Sequence, residues 1–198
     1  MEIKPYNVPV ILATRESLKG YAIVVANFED EQVIINKWPH NGKRAVTDGV
    51  GGGVTEGLFK FWWNDSQLCA INEAVVGGDY IVCVKDSTGN IVVKEANYHP
   101  DGGQVVFPVE KQPFIALLGK TSASEQDDVR MDDFVGFYCD GSFGIQILPY
   151  IWHQPMIPMT DRQTFKNKQG AVHACVHVNF DEFSSVLNIR WCGVSPPA

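Results

Sequence analysis

Residues 96–109 read ANYHPDGGQVVFPV, and this stretch indicates a β-rich fold. The central PDGG supplies the fixed φ, the side-chain cap and the tolerance of positive φ that a tight turn needs. The residues on either side are typical of strands, so the stretch predicts a β-hairpin. His99 and Gln104 would then face each other across the turn, with their Cβ atoms roughly 5 Å apart. Such a pair suits a shared ligand or metal, and equally a plain hydrogen bond.

A period of two recurs along most of the chain. It is found in the runs VPVILAT, YAIVVANF, EQVIINKW, LFKFWW, YIVCVKD, NIVVKEA, QVVFPVE, PFIALLG, DFVGFYC, GIQILPYIW, VHACVHVNF and VLNIRWC. Many short strands separated by turn residues predict an all-β sandwich or barrel. Helical signals are confined to LATRESLKGY near the start and to SASEQDDVRMDD, which reads as an acidic loop or a single helical turn.

The composition fits one ordinary globular domain. The chain has 198 residues, 45% of them hydrophobic and 20% charged, which is enough to bury a sizeable core. A net charge of −7 without a basic patch argues against nucleic acid or an anionic membrane as partner. With no signal peptide pattern and no apolar run of about 20 residues, we expect a cytoplasmic protein. Five cysteines without C-x-x-C spacing argue against a disulfide framework or a zinc ribbon.

Two motifs carry weaker signals. The glycines of TDGVGGGVTEG, residues 47–57, do not predict a phosphate loop, because an aromatic strand follows instead of a helix. A mobile loop over a binding site and a purely structural loop both remain open for this segment. His173 and His177 have the i, i+4 spacing of helical zinc ligands, but VHACVHVNF alternates as a strand. In a strand they would stand about 13 Å apart, so at most one of them joins a site.

A second polar cluster lies in residues 141–158, GSFGIQILPYIWHQPMIP. Pro149 ends regular ladder pairing after GIQIL, so we expect the His153 side chain to be freed at the mouth of a barrel beside Trp152.

The two clusters in this order resemble the two motifs of the cupin barrel, in which imidazoles and a carboxylate meet around a metal. Asn97, His99 and Gln104 have the spacing of the first motif, and His153 ends an approximate second one. Neutral amides replace two of the four ligands, and amides hold a divalent transition metal poorly. The resemblance therefore implies a cupin-like double-stranded β-helix with few short helices and an eroded metal site. We expect one such domain over 1–198, with N-terminal strands and a loop in 1–50 and the barrel core with its pocket in 51–198.

More closely, the chain resembles the ureidoglycolate lyases, small cupin-type enzymes of purine and allantoin breakdown. Members carry H-P-x-x-x-Q-x-F/V-x-P, which is present here as His99, Pro100, Gln104 and Pro108. They also carry a glycine-containing strand that runs into x-W-H-x-P, which is present here as Trp152, His153 and Pro155. The two motifs cover roughly the middle third of the chain in the right order. The resemblance implies cleavage of ureidoglycolate to glyoxylate and urea by general acid–base catalysis.

The resemblance also implies roles for individual residues. His153 and His99 are the expected acid–base pair, because an imidazole titrates near neutral pH and can serve in either role. Gln104 would orient the substrate, with Asn97 nearby, and Trp152 would form a wall of the pocket. Two carboxylates, Glu56 and Glu73, are alternative bases.

One departure from the family pattern concerns the substrate. Members often have an arginine before the first motif, and the nearest equivalent segment here, LCAINEAV, has Glu73 instead. The basic residues that could replace a lost carboxylate anchor are Lys43, Arg44, Lys60 and Arg162. Lys60 is the most interesting of these because it lies in the aromatic run LFKFWW, although a solvated strand lysine would look the same.

Two other classes of function stay open at this point. A metal-dependent cupin, either an isomerase or an oxygenase, would use His99, Gln104 and His153 as ligands. A cupin that only binds a small molecule would have the same pocket without a working acid–base pair. We expect no cofactor, with a divalent metal as the alternative, and a homodimer, because barrels of this kind commonly cover an exposed edge strand by pairing.

Overall fold

The computed structural model describes residues 3–36, 44–47, 59–64, 67–75, 83–85, 90–120 and 128–190, with the backbone alone at 47, 59–64, 67–68, 75 and 83–85. Strands dominate these ranges. They are β1 (Lys4–Asn7), β2 (Val10–Leu12), β3 (Ala22–Val25), β4 (Val46–Thr47), β5 (Phe59–Asn64), β6 (Gln67–Val75), β7 (Cys83–Lys85), β8 (Ile91–Val93), β9 (Glu95–Tyr98), β10 (Gln104–Pro108), β11 (Phe114–Gly119), β12 (Phe134–Cys139), β13 (Gly144–Ile147), β14 (Trp152–His153), β15 (Ile157–Pro158), β16 (Arg162–Gly170), β17 (Cys175–Asn179) and β18 (Ser185–Ile189). The helical elements described are two short 3₁₀ helices, Met131–Asp133 and Phe180–Phe183. None of the described helices is long and apolar enough to cross a membrane.

The described strands form three sheets. The smallest has the order β1-β18-β8-β7, and the six-stranded sheet has the order β3-β13-β10-β16-β6-β5. The eight-stranded sheet has the order β2-β12-β11-β14-β9-β17-β4, with β15 paired to β11. The prediction of an all-β chain with few short helices is thus confirmed. In the described residues the sheets are not closed into a barrel.

The main core lies between the two large sheets. Strand β11, with the sequence FIALLG, is buried at every position, as expected for an apolar run flanked by neighbouring strands. Phe114 of β11 meets Phe165 of β16 edge-on, with 5.3 Å between ring centroids. Each such buried aromatic side chain contributes about 1.5–3 kcal/mol through its removal from water. These contacts hold the two sheets face to face.

The predicted hairpin at residues 96–109 is wrong. Strand β9 pairs with β14 and β17, whereas β10 pairs with β13 and β16. A strand has two edges, and both edges of β9 and of β10 are occupied, so these two strands do not pair with each other. The PDGG turn instead carries the chain from the eight-stranded sheet to the six-stranded sheet. Its backbone approaches another segment closely, since a Cβ atom on Gly102 would lie 2.7 Å from the Ile34 carbonyl oxygen.

Three further local predictions need correction. LATRESLKGY forms successive turns rather than a helix, and the Ser17 hydroxyl donates to the Leu12 carbonyl at 2.8 Å, a local bond that competes with helical pairing. The described part of EQVIINKW, residues 31–36, makes a single bridge from Ile35 to Gly102 instead of a strand. Strand β16, nine residues long and central in its sheet, was not predicted at all.

Candidate active site

A cavity of about 190 Å³ lies where the six-stranded and eight-stranded sheets face each other. Its polar lining comprises three histidines and five carboxamides, together with Cys175. Within the described ranges, no lysine, arginine, aspartate or glutamate lines it. The described lining of the cavity is therefore polar but carries no fixed charge.

The first polar surface, which we call the histidine wall, consists of His99, His153 and His173. His99 directly follows β9, His153 ends β14, and His173 precedes β17, so all three belong to the eight-stranded sheet or its turns. The ring centroid of His99 lies 5.2 Å from that of His153 and 5.1 Å from that of His173. The three imidazoles are thus close enough to act on one small ligand.

Backbone carbonyls fix the proton positions on two of these rings. Nδ1 of His99 lies 2.8 Å from the Ala174 carbonyl oxygen, and Nδ1 of His153 lies 2.8 Å from the Ile151 carbonyl oxygen. A carbonyl oxygen only accepts hydrogen bonds, so both Nδ1 atoms carry a proton. In the neutral rings Nε2 is then the nitrogen with a free lone pair, ready to accept a proton.

Burial controls the charge state of the histidine wall. Loss of solvation is the largest cause that lowers the pKa of His153 and of His173 to about 3, and charge on His99 lowers both further. Burial also lowers the pKa of His99, but the Ala174 carbonyl, the Asp101 carboxylate and the Gln104 side chain act in the opposite direction. Of the three histidines, His99 is therefore the one whose protonated form is stabilised by the most neighbouring groups.

Asp101 is a buried carboxyl in the same turn as His99. Burial raises its pKa, while charge on His99 and the backbone amides of His173 and Ala174 oppose that rise. The fit is tight, because a Cβ atom on Gly170 would lie 2.5 Å from Asp101 Oδ2. Glycine at position 170 thus leaves the space that the carboxyl occupies behind the histidine wall.

The second polar surface, the amide wall, consists of Asn72, Gln104, Asn167 and Gln169. These residues lie on the neighbouring strands β6, β10 and β16 of the six-stranded sheet, where Gln104 and Gln169 are in register. The Gln104 side chain donates to Asn167 Oδ1 at 3.1 Å, and the Asn167 side chain donates to Asn72 Oδ1 at 2.7 Å. The carboxamides thus satisfy much of one another's hydrogen bonding.

Three side-chain oxygens around the cavity are unsatisfied as hydrogen-bond acceptors within the described residues. The buried carbonyl oxygens of Gln104 and Gln169, and that of Asn97 on β9, have no hydrogen-bond donor among the described residues. An unsatisfied buried acceptor costs about 1–3 kcal/mol, so these oxygens favour a ligand that brings N–H or O–H groups. The cavity is suited to a small ligand rich in donors.

The structure brings together four of the residues singled out from the sequence. His99, Gln104, His153 and Asn97 all line the cavity. The expected position of His153 at a barrel mouth needs correction, because it lies in the middle of the eight-stranded sheet, paired with Leu118 and Asn97. Pro149 does interrupt the chain, but the two residues of β14 then resume the ladder.

The placement of Trp152 also differs from the expectation. Successive residues of a strand point to opposite faces, so Trp152 points away from the cavity that His153 lines. Its side chain is 0% exposed and packs edge-on against Tyr98, with 4.6 Å between ring centroids. Trp152 is therefore part of the hydrophobic core and does not form a wall of the cavity.

Three of the charged residues considered from the sequence, Arg44, Glu73 and Arg162, do not line the cavity. Glu73 follows Asn72 on β6, so it points to the other face, where it pairs with Arg162 at 3.3 Å. Arg44 pairs with Glu182 at 3.0 Å and lies over the Trp152 ring at 5.9 Å. Lys60 belongs to β5, but its side chain lies outside the described residues, as do Lys43, Glu56 and residues 48–57 of the glycine-rich segment.

Five polar lining residues were not among the predicted site residues: Asn72, Asn167, Gln169, His173 and Cys175. His173 has φ of 51° in a turn before β17, so the strand spacing expected between it and His177 does not apply. His177 lies on β17 and is half exposed, with Nε2 3.1 Å from Glu95 Oε2. The signal that could have found Asn167 and Gln169 is the alternation in RQTFKNKQG, which puts basic residues on one face and carboxamides with a phenylalanine on the other.

These features describe an all-β protein with a cavity whose imidazoles and carboxamides suit a small polar ligand. A family model described as ureidoglycolate lyase matches residues 64–187, and every residue that lines the cavity falls in that range. Because the match covers more than half of the chain, the protein belongs to the ureidoglycolate lyase family and is a carbon–nitrogen lyase of that type. The resemblance predicted from the two motifs is thus confirmed. A comparison with curated proteins gave no match.

Proposed function

We propose that the protein cleaves ureidoglycolate in this cavity, with His153 as the general base and His99 as the general acid. One observation carries the proposal: three imidazoles and five carboxamides converge on one cavity inside the range that the family model matches. Ureidoglycolate is a hemiaminal, in which one carbon bears a hydroxyl, a carboxylate and the urea nitrogen. Its cleavage needs one base and one acid and yields glyoxylate and urea.

The bond changes can be assigned to the two rings. Nε2 of His153 takes the hydroxyl proton while the carbonyl of glyoxylate forms and the C–N bond breaks. The electron pair of that bond goes to the urea nitrogen, which receives a proton from Nε2 of protonated His99. A well-placed acid or base contributes roughly 10²- to 10⁴-fold to the rate. The cycle closes when the proton returns from His153 to His99, whose ring centroids are 5.2 Å apart.

The environments of the two histidines support this assignment. His153 donates from Nδ1 to Ile151 and is neutral at neutral pH, so its Nε2 can accept a proton. His99 has Asp101, Gln104 and the Ala174 carbonyl in support of its charged form. The substrate carboxylate adds a negative charge to the cavity, and a nearby negative charge raises the pKa of an imidazole. Binding of the anionic substrate would therefore favour the protonation of His99 that the acid needs.

The ureido group of the substrate fits the remaining acceptors. It carries N–H donors and no charge, and the carbonyl oxygens of Asn97 and Gln169 lack donors within the described structure. Asn97 is the strand neighbour of His153, and Gln169 is the strand neighbour of Gln104. A ureido group between these amides would hold the scissile carbon near the histidine wall.

The direct test is turnover by the purified protein. Ureidoglycolate, related hydroxy-acid ureides and simple sugars would be supplied in parallel, and urea and glyoxylate would be measured. We expect equal amounts of both products from ureidoglycolate and none from sugars. The matched variants are His153→Asn and His99→Asn, which should lose activity, and His177→Asn on the exposed face, which should keep it. Release of the two products at the same rate by all the variants would refute the proposed site.

The metal-dependent alternative is less well supported by the donor set. In the parts of the chain that the structure describes, no three histidine, cysteine, aspartate or glutamate side chains are grouped to hold one ion. His99, Gln104 and His153 would offer two imidazoles and a carboxamide, which hold a divalent transition metal poorly. We therefore propose a reaction without a metal, and metal analysis of protein purified without chelator, with activity measured before and after dialysis against chelator, tests it.

Three broader proposals accompany the activity. The first is that the facing sheets are those of a cupin-type double-stranded β-helix, as in the resemblance described above.

The second is a homodimer, supported by the exposed apolar side chains Ile11 and Leu12 on β2, the end strand of the described eight-stranded sheet. Light scattering at micromolar concentration tests it, since a monomer alone would contradict it. The third is a cytoplasmic location, with which the free thiols of Cys69, Cys139 and Cys175 agree.

A further inference from the structure

A segment of irregular chain, residues 28–36, lies on the outer face of the six-stranded sheet, and we call it the strap. Its buried side chains Phe28 and Val33 pack with Val25 and Val105 in a small apolar cluster separate from the main core. Val105 follows the cavity-lining Gln104 on β10, so this cluster lies on the face opposite to the cavity. Apolar contacts are non-directional, so they hold the strap on the sheet without fixing its exact position.

Lys168 on β16 provides a directional anchor for the strap. It lies between two cavity-lining residues of its strand, so its side chain points to the outer face. Its Nζ donates at 2.6, 3.3 and 3.1 Å to three strap carbonyl oxygens, those of Phe28, Glu29 and Glu31. An ammonium group has three N–H donors, so the three carbonyls use all of them. Lys168 is 7% exposed, and a buried ammonium group is costly unless it is hydrogen-bonded in this way.

Gln146 on β13 provides a second anchor. Its Oε1 accepts from the backbone N–H of Ile34 at 2.7 Å. Its Nε2 donates to the Gln32 carbonyl oxygen at 3.1 Å and to the Glu31 side chain at 2.6 Å. Lys168 therefore binds the first half of the strap, and Gln146 binds the second half.

The anchored strap is bonded in turn to residues 100–103, the turn that connects the two large sheets. The Gly103 N–H donates to the Ile34 carbonyl oxygen at 2.8 Å, and the Asn36 N–H donates to the Asp101 carbonyl oxygen at 2.9 Å. All four turn residues are buried. The strap therefore supports this turn from the side of the anchors.

The supported turn joins the two walls of the cavity. His99 precedes it and belongs to the histidine wall, and Gln104 follows it and belongs to the amide wall. We propose that Lys168, together with Gln146, is a positioning residue that acts through the strap and the turn to fix His99 and Gln104 relative to each other. This inference rests on the proposed roles of His99 and Gln104 in the cleavage of ureidoglycolate.

The test removes the lysine anchor. Lys168→Met keeps the length of the side chain but takes the donor away from the three strap carbonyls. The first control is Lys166→Met, which changes a lysine on the same face of the same strand whose partly exposed ion pair with Glu29, at 3.0 Å, also reaches the strap. The second control is Gln163→Leu, which removes a buried carboxamide on the same strand that donates to the Gln112 carbonyl and does not line the cavity.

Steady-state kinetics on ureidoglycolate separate positioning from loss of stability. In Lys168→Met we expect kcat to fall and KM to rise, each by about tenfold, because the turn carries one residue of each wall. Partial unfolding alone would lower the apparent kcat and leave KM unchanged, since the remaining folded molecules would bind substrate as before. Both controls should keep the native KM.

A second readout needs no substrate. NMR of labelled Lys168→Met should show shifted side-chain NH₂ signals of Gln104. The backbone amide of Gly103 should exchange with solvent faster than in the native protein, because the strap that carries its acceptor is less firmly held. In Lys166→Met the Gln104 signals and the exchange of Gly103 should both be native.

Each outcome decides for or against the inference. Native KM and native Gln104 signals in folded Lys168→Met would overturn it, and so would a fall in kcat with unchanged KM. If circular dichroism shows Lys168→Met to be unfolded, Gln146→Leu removes the other anchor and should have the same effects. If both variants are unfolded, the anchors are required for folding and the inference is wrong. Shifted Gln104 signals with faster Gly103 exchange, in a protein whose native form releases no urea from ureidoglycolate, would support the positioning role and refute the proposed function.

Discussion

The two walls of the cavity hold their polar groups in different ways. On the histidine wall, His99 and His153 are each bound through Nδ1 to a backbone carbonyl. On the amide wall, Gln104, Asn167 and Asn72 bind one another, and Asn167 reaches the Phe165 carbonyl as well. A ring fixed at one nitrogen still has the other nitrogen for proton transfer. A carboxamide has no proton to give up, so the amide wall can orient a ligand but cannot titrate.

The difference teaches how the molecule divides its tasks between two sheets. The eight-stranded sheet contributes histidines to the cavity, and these can gain or lose a proton. The six-stranded sheet contributes carboxamides, which do not titrate. Substitutions on the histidine wall should therefore act mainly on the chemical step and on the response to pH. Substitutions on the amide wall should act mainly on substrate binding, and each of the following experiments tests one part of that division.

The largest effect is expected at His153. His153→Asn keeps a polar side chain in the middle of the sheet but cannot accept and carry the proton, so kcat should fall by roughly 10²- to 10⁴-fold. His153→Ala should be at least as inactive. Because His153 is buried within the sheet, we expect the alanine variant also to lose stability, which differs from what a side chain freed at a cavity mouth would do.

The control is His177→Asn, which changes a half-exposed histidine on the same sheet. It should keep the native kcat, measured as urea release at saturating ureidoglycolate. If folded His153→Asn has the native kcat, this histidine has a structural role. The proposal that the histidine wall acts on the chemical step would then be wrong.

The second effect is on acid stability. The folded-state pKa of His153 and of His173 is about 3, below the value of about 6.5 in the unfolded chain. Between these values the unfolded state binds more protons, so the stabilising contribution is complete above about pH 6.5 and is lost as the pH falls toward 3. Each histidine should lower the free energy of unfolding by about 1.4 kcal/mol per pH unit in that window.

Urea denaturation of the native protein and of His153→Asn at several pH values between 7 and 4 measures this loss. The free energy of unfolding of His153→Asn should fall less steeply with falling pH than that of the native protein, because one buried histidine is missing. His177→Asn should have the native slope. Parallel slopes for all three proteins would show that His153 is not buried in its neutral form.

The strand content could be predicted from the sequence because most strands have one apolar face. The runs FIALLG and FVGFYC lie in the predicted strands β11 and β12. Strand β16 escaped prediction because one of its faces lines a polar cavity and the other carries charges, so apolar alternation is absent. The pairing error at residues 96–109 has a different cause, since a tight turn is compatible both with a hairpin and with a crossing between sheets. Only the partners of β9 and β10 decide between the two.

The site could be predicted only in part for a related reason. His99, Gln104 and His153 belong to recognisable motifs, and the structure places all three at one cavity. Asn72 and Gln169 come from strands far from these motifs in sequence, and what places them at the cavity is the register of β6 and β10 against β16. Trp152 shows the converse, because a motif residue next to a site residue on a strand necessarily points to the other face.

The third effect is on substrate binding at the amide wall. Gln169→Leu removes a buried carbonyl oxygen that receives no hydrogen bond from the described residues, while it keeps the approximate volume of the side chain. If this oxygen accepts a ureido N–H, KM should rise by about tenfold with kcat changed by no more than about threefold. Steady-state kinetics on ureidoglycolate measure both constants, with Gln163→Leu as the control on the same strand. A loss confined to kcat would place Gln169 in the chemical step and contradict the division between the walls.

The smallest effect is expected outside both walls, at the ion pair of Arg162 and Glu73. The side chain of Arg162 is 69% exposed and that of Glu73 is 35% exposed, and the pair lies on the face of β6 opposite to Asn72. Arg162 and Glu73 therefore lie outside the described cavity lining, and we expect neither to contact the substrate. Exposed ion pairs contribute about 0–1 kcal/mol, so Arg162→Ala and Glu73→Gln should each change the free energy of unfolding by less than about 1 kcal/mol. Both variants should keep kcat and KM within about twofold of the native enzyme. A rise of KM by tenfold or more in Arg162→Ala, with the melting temperature unchanged, would show instead that the substrate carboxylate reaches this arginine and that the binding site extends beyond the two walls.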